Sequence, residues 1–137
     1  MRIKLDEGAF PPSRAHDRDA GIDLRSKHSQ RVMPHGSAIF RTGVHVELPE
    51  GTCGVVKAKS GLMTKHKIIT TGLVDEPYRG EVVVMLFNHG EDSYLVEAGD
   101  KIANFVVVPV RYEPLEFVEE LDMNTDRGTS GFGSTGR

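Results

Sequence analysis

The aspartate at position 23 stands where flanking apolar residues would fix its orientation. In Ala20-Gly21-Ile22-Asp23-Leu24, alternation along a strand would place Ile22 and Leu24 on one face and Asp23 on the other. A carboxylate held in this way can face a phosphate that carries a metal ion. An exposed strand aspartate without a ligand fits the same five residues.

A second acidic segment has the composition of a polar hairpin, Gly72-Leu73-Val74-Asp75-Glu76-Pro77-Tyr78-Arg79-Gly80-Glu81. Such a hairpin would project Asp75 and Tyr78 into one pocket, and its backbone would be free to hydrogen-bond a planar base. A charged hairpin tip with no ligand is the alternative interpretation.

Two further segments have features that suit a ligand or an ordinary turn. Lys59-Ser60-Gly61 follows a predicted strand and opens a predicted helix, so that an ammonium, a hydroxyl and backbone N–H groups would meet a phosphate there. A serine that caps a helix without any ligand is the alternative. Gly99-Asp100-Lys101-Ile102-Ala103-Asn104-Phe105 is a turn that leads into a buried strand, and an ordinary hairpin explains it equally well.

The C-terminal segment combines glycines, hydroxyl groups, one arginine and one aromatic ring, Arg127-Gly128-Thr129-Ser130-Gly131-Phe132-Gly133-Ser134-Thr135-Gly136. Glycines allow the backbone to approach phosphates closely, and serine and threonine add donors. Arg127 can bind a terminal phosphate with two hydrogen bonds, and Phe132 can stack on a base. A disordered linker is the alternative, but a linker has no need of these two side chains framed by glycines.

Short strands separated by turns dominate the elements that would position these groups. The turns carry Gly, Pro, Asn or Asp, as at Pro34-His35-Gly36. Only the stretch after Ser60 predicts a helix, with Ser60 as its cap and at most two turns. Many short strands with so little helix predict an all-β barrel or sandwich. The predicted strands are Arg2–Leu5, Ser37–Arg41, Val44–Leu48, Gly54–Ala58, Glu81–Phe87, Tyr94–Val96, Ile102–Val108 and Tyr112–Phe117.

Two continuous apolar runs, Val82–Phe87 and Val106–Val108, predict strands that are buried on both faces, or on one face and against a partner subunit on the other. The composition changes once, near Asp122, after which few apolar residues remain. We therefore predict a folded domain over residues 1–121 and a mobile tail over 122–137 that orders only when something binds it.

Length and composition restrict the class of protein. The 137 residues amount to one domain, which buries roughly two thirds of its extended-chain surface on folding. The net charge of −3 argues against nucleic-acid binding, and no apolar run approaches the ~18 residues of a membrane span. No leader of charged and then apolar residues opens the chain, and the single cysteine, Cys53, fits a reducing cytoplasm. The six histidines show no metal-ligand pairing, and the sequence contains no Walker-type P-loop.

Taken together, the five segments resemble the five motifs of the trimeric dUTPase family, in the same order and over nearly the whole chain. The most specific parts are Ala20-Gly21-Ile22-Asp23-Leu24, Asp75 with Tyr78-Arg79-Gly80, and Arg127-Gly128 with Gly131-Phe132-Gly133-Ser134-Thr135-Gly136. The resemblance implies a jelly-roll-like distorted β-barrel with one short helix and a flexible C-terminal tail. It also implies a cytoplasmic homotrimer with shared active sites that hydrolyses dUTP to dUMP and pyrophosphate with Mg²⁺.

The resemblance also implies roles for individual residues. The counterpart of Asp75 activates the water that attacks the α-phosphorus, and that of Asp23 supports a hydrated Mg²⁺ held mainly by the substrate phosphates. The counterpart of Tyr78 packs on the deoxyribose and leaves no room for a 2′-hydroxyl, while Gly72 and the hairpin backbone would bind the uracil edge. The residues implied to contact the phosphates are Lys59, Ser60, Gly61 and Asn104.

The tail of a third subunit is implied to close over the ligand. Phe132 would then lie on the uracil, and the groups near the γ-phosphate would be Arg127, Ser134 and Thr135. Gly133 is implied to bind the substrate as well. Four positions depart from the family pattern, which usually has Arg, Asp, Gln and Gly there: Lys59, Pro77, Asn104 and Ser130. Because none of these changes removes the acid or the stacking ring, they bear on rate and affinity rather than on the type of reaction.

Three other functions can be compared with the same residues. In dCTP deaminases, which are similar in fold, a glutamate follows the hairpin aspartate by ten residues and the second motif ends in arginine, whereas Met85 and Thr64 stand at these positions here. A phage-type dUTPase that also regulates by binding a protein is compatible with the sequence. A structural jelly-roll subunit would have no use for the Arg127–Gly136 pattern.

Overall fold

The computed structural model describes residues 1–131, and residues 132–137 lie outside the described part. Residues 1–131 form short strands and one helix of seven residues. The elements are β1 (Arg2–Leu5), β2 (Ile22–Arg25), β3 (Gln30–Val32), β4 (Ser37–Phe40), β5 (Val44–Glu47), β6 (Thr52–Ala58), α1 (Ser60–His66), β7 (Ile68–Ile69), β8 (Thr71–Val74), β9 (Val84–Asn88), β10 (Tyr94–Val96) and β11 (Lys101–Pro109).

The strands pair antiparallel in four sheets. The largest has the order β2-β11-β6-β8, a second has the order β4-β9-β7, and two ribbons pair β1 with β5 and β3 with β10. Over residues 1–131 these sheets do not close into a single barrel. The predicted fold class, mostly strands with one short helix, is confirmed.

The centre of the fold is the pair formed by β6 and β11, which match residue for residue from Ala58 opposite Ala103 to Thr52 opposite Pro109. Gly54 allows the Phe105 ring to lie across this pair, since a Cβ at position 54 would come within 2.0 Å of its Cζ atom. Phe105 is buried as a result and belongs to the single apolar core cluster.

The predicted run Val82–Phe87 is buried on one face only in this chain. Val84 and Leu86 of β9 point into the core, whereas the side chains of Val83 and Met85 are 42% and 37% exposed. Ile39 of β4 pairs with Met85 and is 52% exposed. The outer surface of this sheet is therefore apolar and uncovered by the chain's own described residues.

Several predicted elements were wrong. The stretch Tyr112–Phe117 forms no strand, because no neighbouring strand pairs with it within the described chain, and all residues from 111 to 130 are exposed. Ser60 is the first helical residue rather than the cap; Lys59 holds the capping position and makes no side-chain capping bond. Strands β2, β3, β7 and β8 are absent from the predicted strands, although alternation around Asp23 suggests an extended segment at β2.

Helix α1 ends at Lys67, whose left-handed backbone (φ 54°) lets its N–H donate to the carbonyls of Leu62 and Met63. No helix in residues 1–131 has the length and apolar character that crossing a membrane requires.

Candidate functional site

A polar cavity of about 370 Å³ lies where the edge of the four-stranded sheet meets the chain before β2. It brings together Asp23, Lys59 and Asn104, three of the residues predicted to serve phosphate or metal binding. The remaining lining residues are Ala15, Asp19, Ala20, Gly21 and Lys101.

Asp23 is the most constrained charged group of this cavity, with only 4% of its surface exposed. Its Oδ1 atom accepts a hydrogen bond from Lys59 Nζ, and its Oδ2 atom accepts one from Lys101 Nζ at 2.6 Å. Burial raises the pKa of Asp23, but the hydrogen bonds and charges of Lys101 and Lys59 outweigh burial and leave the pKa below its ordinary value. Asp23 is therefore an ionised carboxylate that holds two ammonium groups at the cavity.

Strand pairing explains how these groups converge. Asn104 of β11 lies opposite Asp23 of β2 on one side and Lys57 of β6 on the other. The register of β11 against β2 shifts between Lys101 and Ala103. Such a β-bulge re-aims side chains, and here Lys101 reaches the Asp23 carboxylate although it lies three residues before Asn104. Sequence reasoning missed the role of Lys101, because no composition signal marks a bulge.

Ser60 and Gly61, predicted to contact phosphates, follow Lys59 at the start of α1 and do not line this cavity. Both are exposed, and the space beside Gly61 is open, since a Cβ there would meet no atom within 4 Å.

The oxygen donors that line this cavity limit how the predicted magnesium ion could bind. Among residues 1–131 no three His, Cys, Asp or Glu side chains cluster closely enough to hold a metal ion. Both oxygens of Asp23 already accept bonds from lysines, and Asp19 is the other carboxylate on the lining. Such a site fits an ion that keeps its waters and is held largely by substrate phosphates, which is how Mg²⁺ commonly binds.

The segment predicted as a hairpin carries Asp75 and Tyr78 directly after β8, but the prediction of a paired hairpin was wrong. Strand β8 pairs with β6 and strand β9 with β4 and β7, so this segment is a turn between two sheets. Residues 75–80 are called the hairpin hereafter. The Tyr78 N–H donates to the Asp75 carbonyl at 3.1 Å, which closes the turn. The Tyr78 hydroxyl donates to the Glu81 carbonyl, and its ring folds over Gly80, where a Cβ would come within 2.2 Å of the hydroxyl oxygen. The glycine thus sets the position of the ring, which is 46% exposed.

Adjacent carboxylates of this hairpin differ in their surroundings. Glu76 Oε2 accepts hydrogen bonds from the Gly51 N–H at 2.7 Å and the Tyr112 hydroxyl at 2.6 Å. The Tyr112 hydrogen bond, with that of Gly51, lowers the pKa of Glu76, and the same bond raises the pKa of Tyr112 to about 12. Asp75 is exposed, and its carboxylate has no hydrogen-bond partner among residues 1–131. Glu76 therefore anchors the hairpin, while Asp75 is free to act on a ligand or water.

Asp75 also borders a groove of about 610 Å³. Its lining is mainly apolar: Cys53, Leu73, Asp75, Glu76, Pro77, Val110, Arg111 and Tyr112. Cys53 is buried, as expected for an apolar filler. Gly72, predicted to face a base, lies within β8 opposite Val56 and is half-buried.

The register of β6 separates the hairpin from the polar cavity. Val74 pairs with Gly54 and Thr71 with Lys57, so Asp75 lies beside Cys53. Lys59 is six residues further along the same strand direction, a distance of about 20 Å at the usual strand rise. Within one chain, the hairpin with Asp75 and the polar cavity with Asp23 therefore lie at opposite ends of one sheet.

The predicted tail residues do not reach either group within the described chain. Arg127 is exposed, and its Nε atom donates to the nearby Ser130 carbonyl at 2.9 Å. Phe132, Gly133, Ser134 and Thr135 lie outside the described residues.

Comparisons with known proteins match this arrangement along the whole chain. The chain is 45% identical to a deoxyuridine 5′-triphosphate nucleotidohydrolase of Clostridium acetobutylicum over 97% of its own length and 93% of the relative's. It superposes on the dUTPase of Staphylococcus bacteriophage 80alpha with dUPNHPP, with a TM-score of 0.91, 30% identity and coverage of 99% and 98%. A mutant dUTPase of phage phi11 of S. aureus, described as coordinating a structural Mg(II) ion, gives a TM-score of 0.80 at 28% identity over 88% and 97%.

A family model described as dUTPase matches residues 9–136, a range that takes in both carboxylate groups and the predicted tail. Because that range and the bacterial relative together cover nearly every residue, the resemblance predicted from five short motifs is confirmed, and this chain belongs to the dUTPase family.

Proposed function

We propose that this protein hydrolyses dUTP to dUMP and pyrophosphate, which lowers dUTP and supplies dUMP for thymidylate synthesis. The observation that carries the proposal is the unengaged carboxylate of Asp75 on a hairpin that also holds Tyr78, in a chain of this family. An enzyme that hydrolyses a triphosphate needs one group to activate water and several to offset phosphate charge.

Asp75 is the general base of the proposed reaction. Its carboxylate accepts a proton from a water molecule as the water oxygen bonds to the α-phosphorus. The bond between that phosphorus and the oxygen bridging to the β-phosphate breaks, and pyrophosphate leaves with the bonding pair. The anchoring of Glu76 by Gly51 and Tyr112 keeps the neighbouring base in place without competing for the same water.

The polar cavity is the proposed phosphate-binding half. Lys59, Lys101 and Asn104 offer donors, and Asp23 holds both lysines in position. Ser60 and Gly61 add a hydroxyl and backbone N–H groups beside Lys59. Mg²⁺, when bound with the triphosphate, would offset phosphate charge, with Asp23 reaching it through water.

The hairpin is the proposed nucleoside-binding half. Gly72 and the hairpin backbone bind the uracil edge, and the Tyr78 ring packs against the deoxyribose. Because that ring is braced against Gly80 and the Glu81 carbonyl, it cannot easily withdraw to admit a 2′-hydroxyl.

A homotrimer with shared sites is the proposed assembly, and the separation of the two halves within one chain supports it. Asp75 of one subunit would complete the polar cavity of another, since about 20 Å of strand divides them within one chain. The uncovered apolar face of β4 and β9 and the exposed arm after Pro109 support such an assembly; the arm exposes Leu115, Phe117 and Leu121 at 85%, 94% and 76%. We place this trimer in the cytoplasm.

The segment 122–137 is the proposed closing tail of a third subunit, distinct from the domain of residues 1–121. Phe132 would cover the uracil, Arg127, Ser134 and Thr135 would approach the γ-phosphate, and Gly133 would contact the substrate between them. Closure would exclude bulk water from the reacting phosphorus. No observation favours the dCTP deaminase or the protein-binding regulator over this function.

Asp75→Asn should lower kcat by about 10² to 10⁴, the usual effect of losing a general base. Pyrophosphate release from dUTP in magnesium buffer measures this. Asp92→Asn, a change of an exposed turn aspartate, is the matched control and should retain wild-type turnover. Turnover within a fewfold of wild type for Asp75→Asn would remove Asp75 from the proposed role.

Tyr78→Ala should narrow the preference for dUTP over UTP, because the braced ring would no longer block a 2′-hydroxyl. The ratio of kcat/KM for the two nucleotides measures the effect, with dCTP and dTTP as further substrates. A ratio identical to that of wild type would rule out the steric role of the ring.

Deletion of residues 127–137 should leave the oligomer and its thermal stability intact while removing most of the hydrolysis. The reason is that residues 127–130 are exposed and pack on nothing in the described chain. Sedimentation and calorimetry check the fold, and Phe132→Ala serves as a point variant that should lose part of the same activity. Full activity of the truncated protein would contradict the closing tail.

A further inference from the structure

His45 of β5 holds the Asp75 hairpin from the side opposite to Glu76. Its Nδ1 atom lies 3.0 Å from the Arg79 carbonyl oxygen, and its Nε2 atom lies 3.2 Å from Asp6 Oδ2. A carbonyl and an ionised carboxylate can only accept hydrogen bonds, so both ring nitrogens must donate. This geometry requires the imidazolium form, since neutral histidine has one N–H.

Strand pairing places His45 between the N-terminal strand and the hairpin. On one side His45 lies opposite Lys4 of β1, and on the other it forms an isolated bridge with Glu81, just after the hairpin. The Val82 N–H donates to the Val44 carbonyl at 2.8 Å and fixes the same junction. The ring is 20% exposed, so its bonds are partly shielded from water.

The Arg79 carbonyl is the acceptor through which His45 holds the end of the hairpin. It follows Tyr78 directly, and the Arg79 guanidinium turns back to donate to the carbonyls of Glu76 at 2.6 Å and Tyr78 at 3.0 Å. The hairpin is thus fixed at its start by the Glu76 carboxylate and at its end by His45. Loosening the second anchor would let the Tyr78 ring and the Asp75 carboxylate shift together.

The charges around His45 come from three elements. Asp6, which follows β1, lies between two cationic groups. Its Oδ1 is 3.5 Å from Lys4 Nζ, and its Oδ2 faces the ring of His45. Glu81 forms the backbone bridge with His45, but its carboxylate accepts hydrogen bonds from Arg41 and from the Gly43 N–H rather than from the histidine ring. The groove beside His45 also contains three further charged side chains, Arg2, Glu47 and Arg79. Asp6 is therefore the anion that sustains the positive charge of His45.

We propose that His45 is a positioning residue, which in its imidazolium form holds the Asp75–Gly80 hairpin for the reaction and releases it on losing a proton. This inference rests on the proposed function, and it makes dUTP hydrolysis sensitive to the protonation of a residue that lines neither the polar cavity nor the groove beside Asp75.

The direction of the pH dependence follows from the surroundings of the ring. Hydrogen bonds to the Arg79 carbonyl and to Asp6 raise the pKa of His45 above its ordinary value of 6.5, against the opposing effects of burial and Lys4. The stabilisation is complete below about pH 6.5, the pKa of an unfolded histidine, and is lost as the pH rises through the higher folded-state pKa. The hairpin therefore loosens on the alkaline side.

The kinetic test is kcat for dUTP between pH 5.5 and 9 for the wild type, His45→Gln and Asp6→Asn. We expect wild-type kcat to fall about three- to tenfold, the range for one lost hydrogen bond, as His45 titrates. In His45→Gln a single amide nitrogen replaces the two separate ring nitrogens and cannot span both acceptors, so its kcat should equal the lower, alkaline value at every pH and show no step. Asp6→Asn should move the step to lower pH, because the anion that sustains the charge is gone.

His35→Gln is the matched control, since His35 also faces a carboxylate, Glu91 at 3.1 Å, but in a turn remote from the hairpin. Its pH profile should equal that of the wild type. An unchanged profile for His45→Gln, or a step that does not move in Asp6→Asn, would overturn the proposal.

Hydrogen exchange of the Tyr78 amide tests the same anchor without substrate. This N–H donates to the Asp75 carbonyl. Its protection factor should fall about three- to tenfold as the pH rises and the His45 ring loses its proton, and the titration of the ring is followed by NMR in the same samples. If the protein leaves dUTP intact but this fall occurs, the proposed function fails while the anchor stands. If dUTP is hydrolysed but the protection factor is constant with pH, the anchor fails alone.

Discussion

The rise of one β-strand sets the organisation of this protein. Strand β6 leads into Lys59 at its far end and pairs through Gly54 with Val74, which immediately precedes Asp75. The spacing along a strand is fixed by backbone geometry, so no rotation of side chains can bring Asp75 to Asp23 across about 20 Å. In the function that we propose, a complete site would combine two copies of the chain, and the apolar residues left uncovered on β4 and β9 would lie between them.

Three carboxylates of this protein are chemically alike but differ in their contacts because their surroundings differ. Asp23 is buried and bound by two lysines, so it organises positive charge. Glu76 accepts bonds from a backbone amide and a phenol, so it fixes a loop. Asp75 has no partner within residues 1–131 and is exposed, which leaves its lone pairs for water. The anchors on either side of Asp75, Glu76 and His45, limit the motion of the one group that must remain unbound.

The sequence predicted much of the fold because turn residues and alternation are local signals. Strands β1, β5, β6, β10 and β11 follow from them, as do the short helix and the turn after β8, although no strand pairing crosses that turn. Tyr112–Phe117 has the right residues for a strand but no partner in the described chain, which composition cannot reveal. Short β7 and β8 were missed because Thr70 and Gly72 interrupt the apolar pattern there.

The site was predictable where motifs are contiguous and not where the fold brings distant residues together. Asp23, Lys59 and Asn104 were singled out and share one cavity. Lys101 was overlooked because a bulge redirects it. The contacts of Tyr112 with Glu76 and of His45 with Asp6 span 36 and 39 positions, so only the folded chain shows them.

The sharing of sites between subunits is tested most directly by mixing two impaired variants. Asp75→Asn disables one half and Lys59→Ala the other, and the two chains can be co-expressed with different tags and purified as mixed oligomers. If each site takes its halves from different subunits, every mixed trimer has both halves intact at one of its three sites, so activity should be restored to about one third of wild type. If both halves come from one chain, the mixed oligomers will be no more active than the average of the two variants, and the account is contradicted.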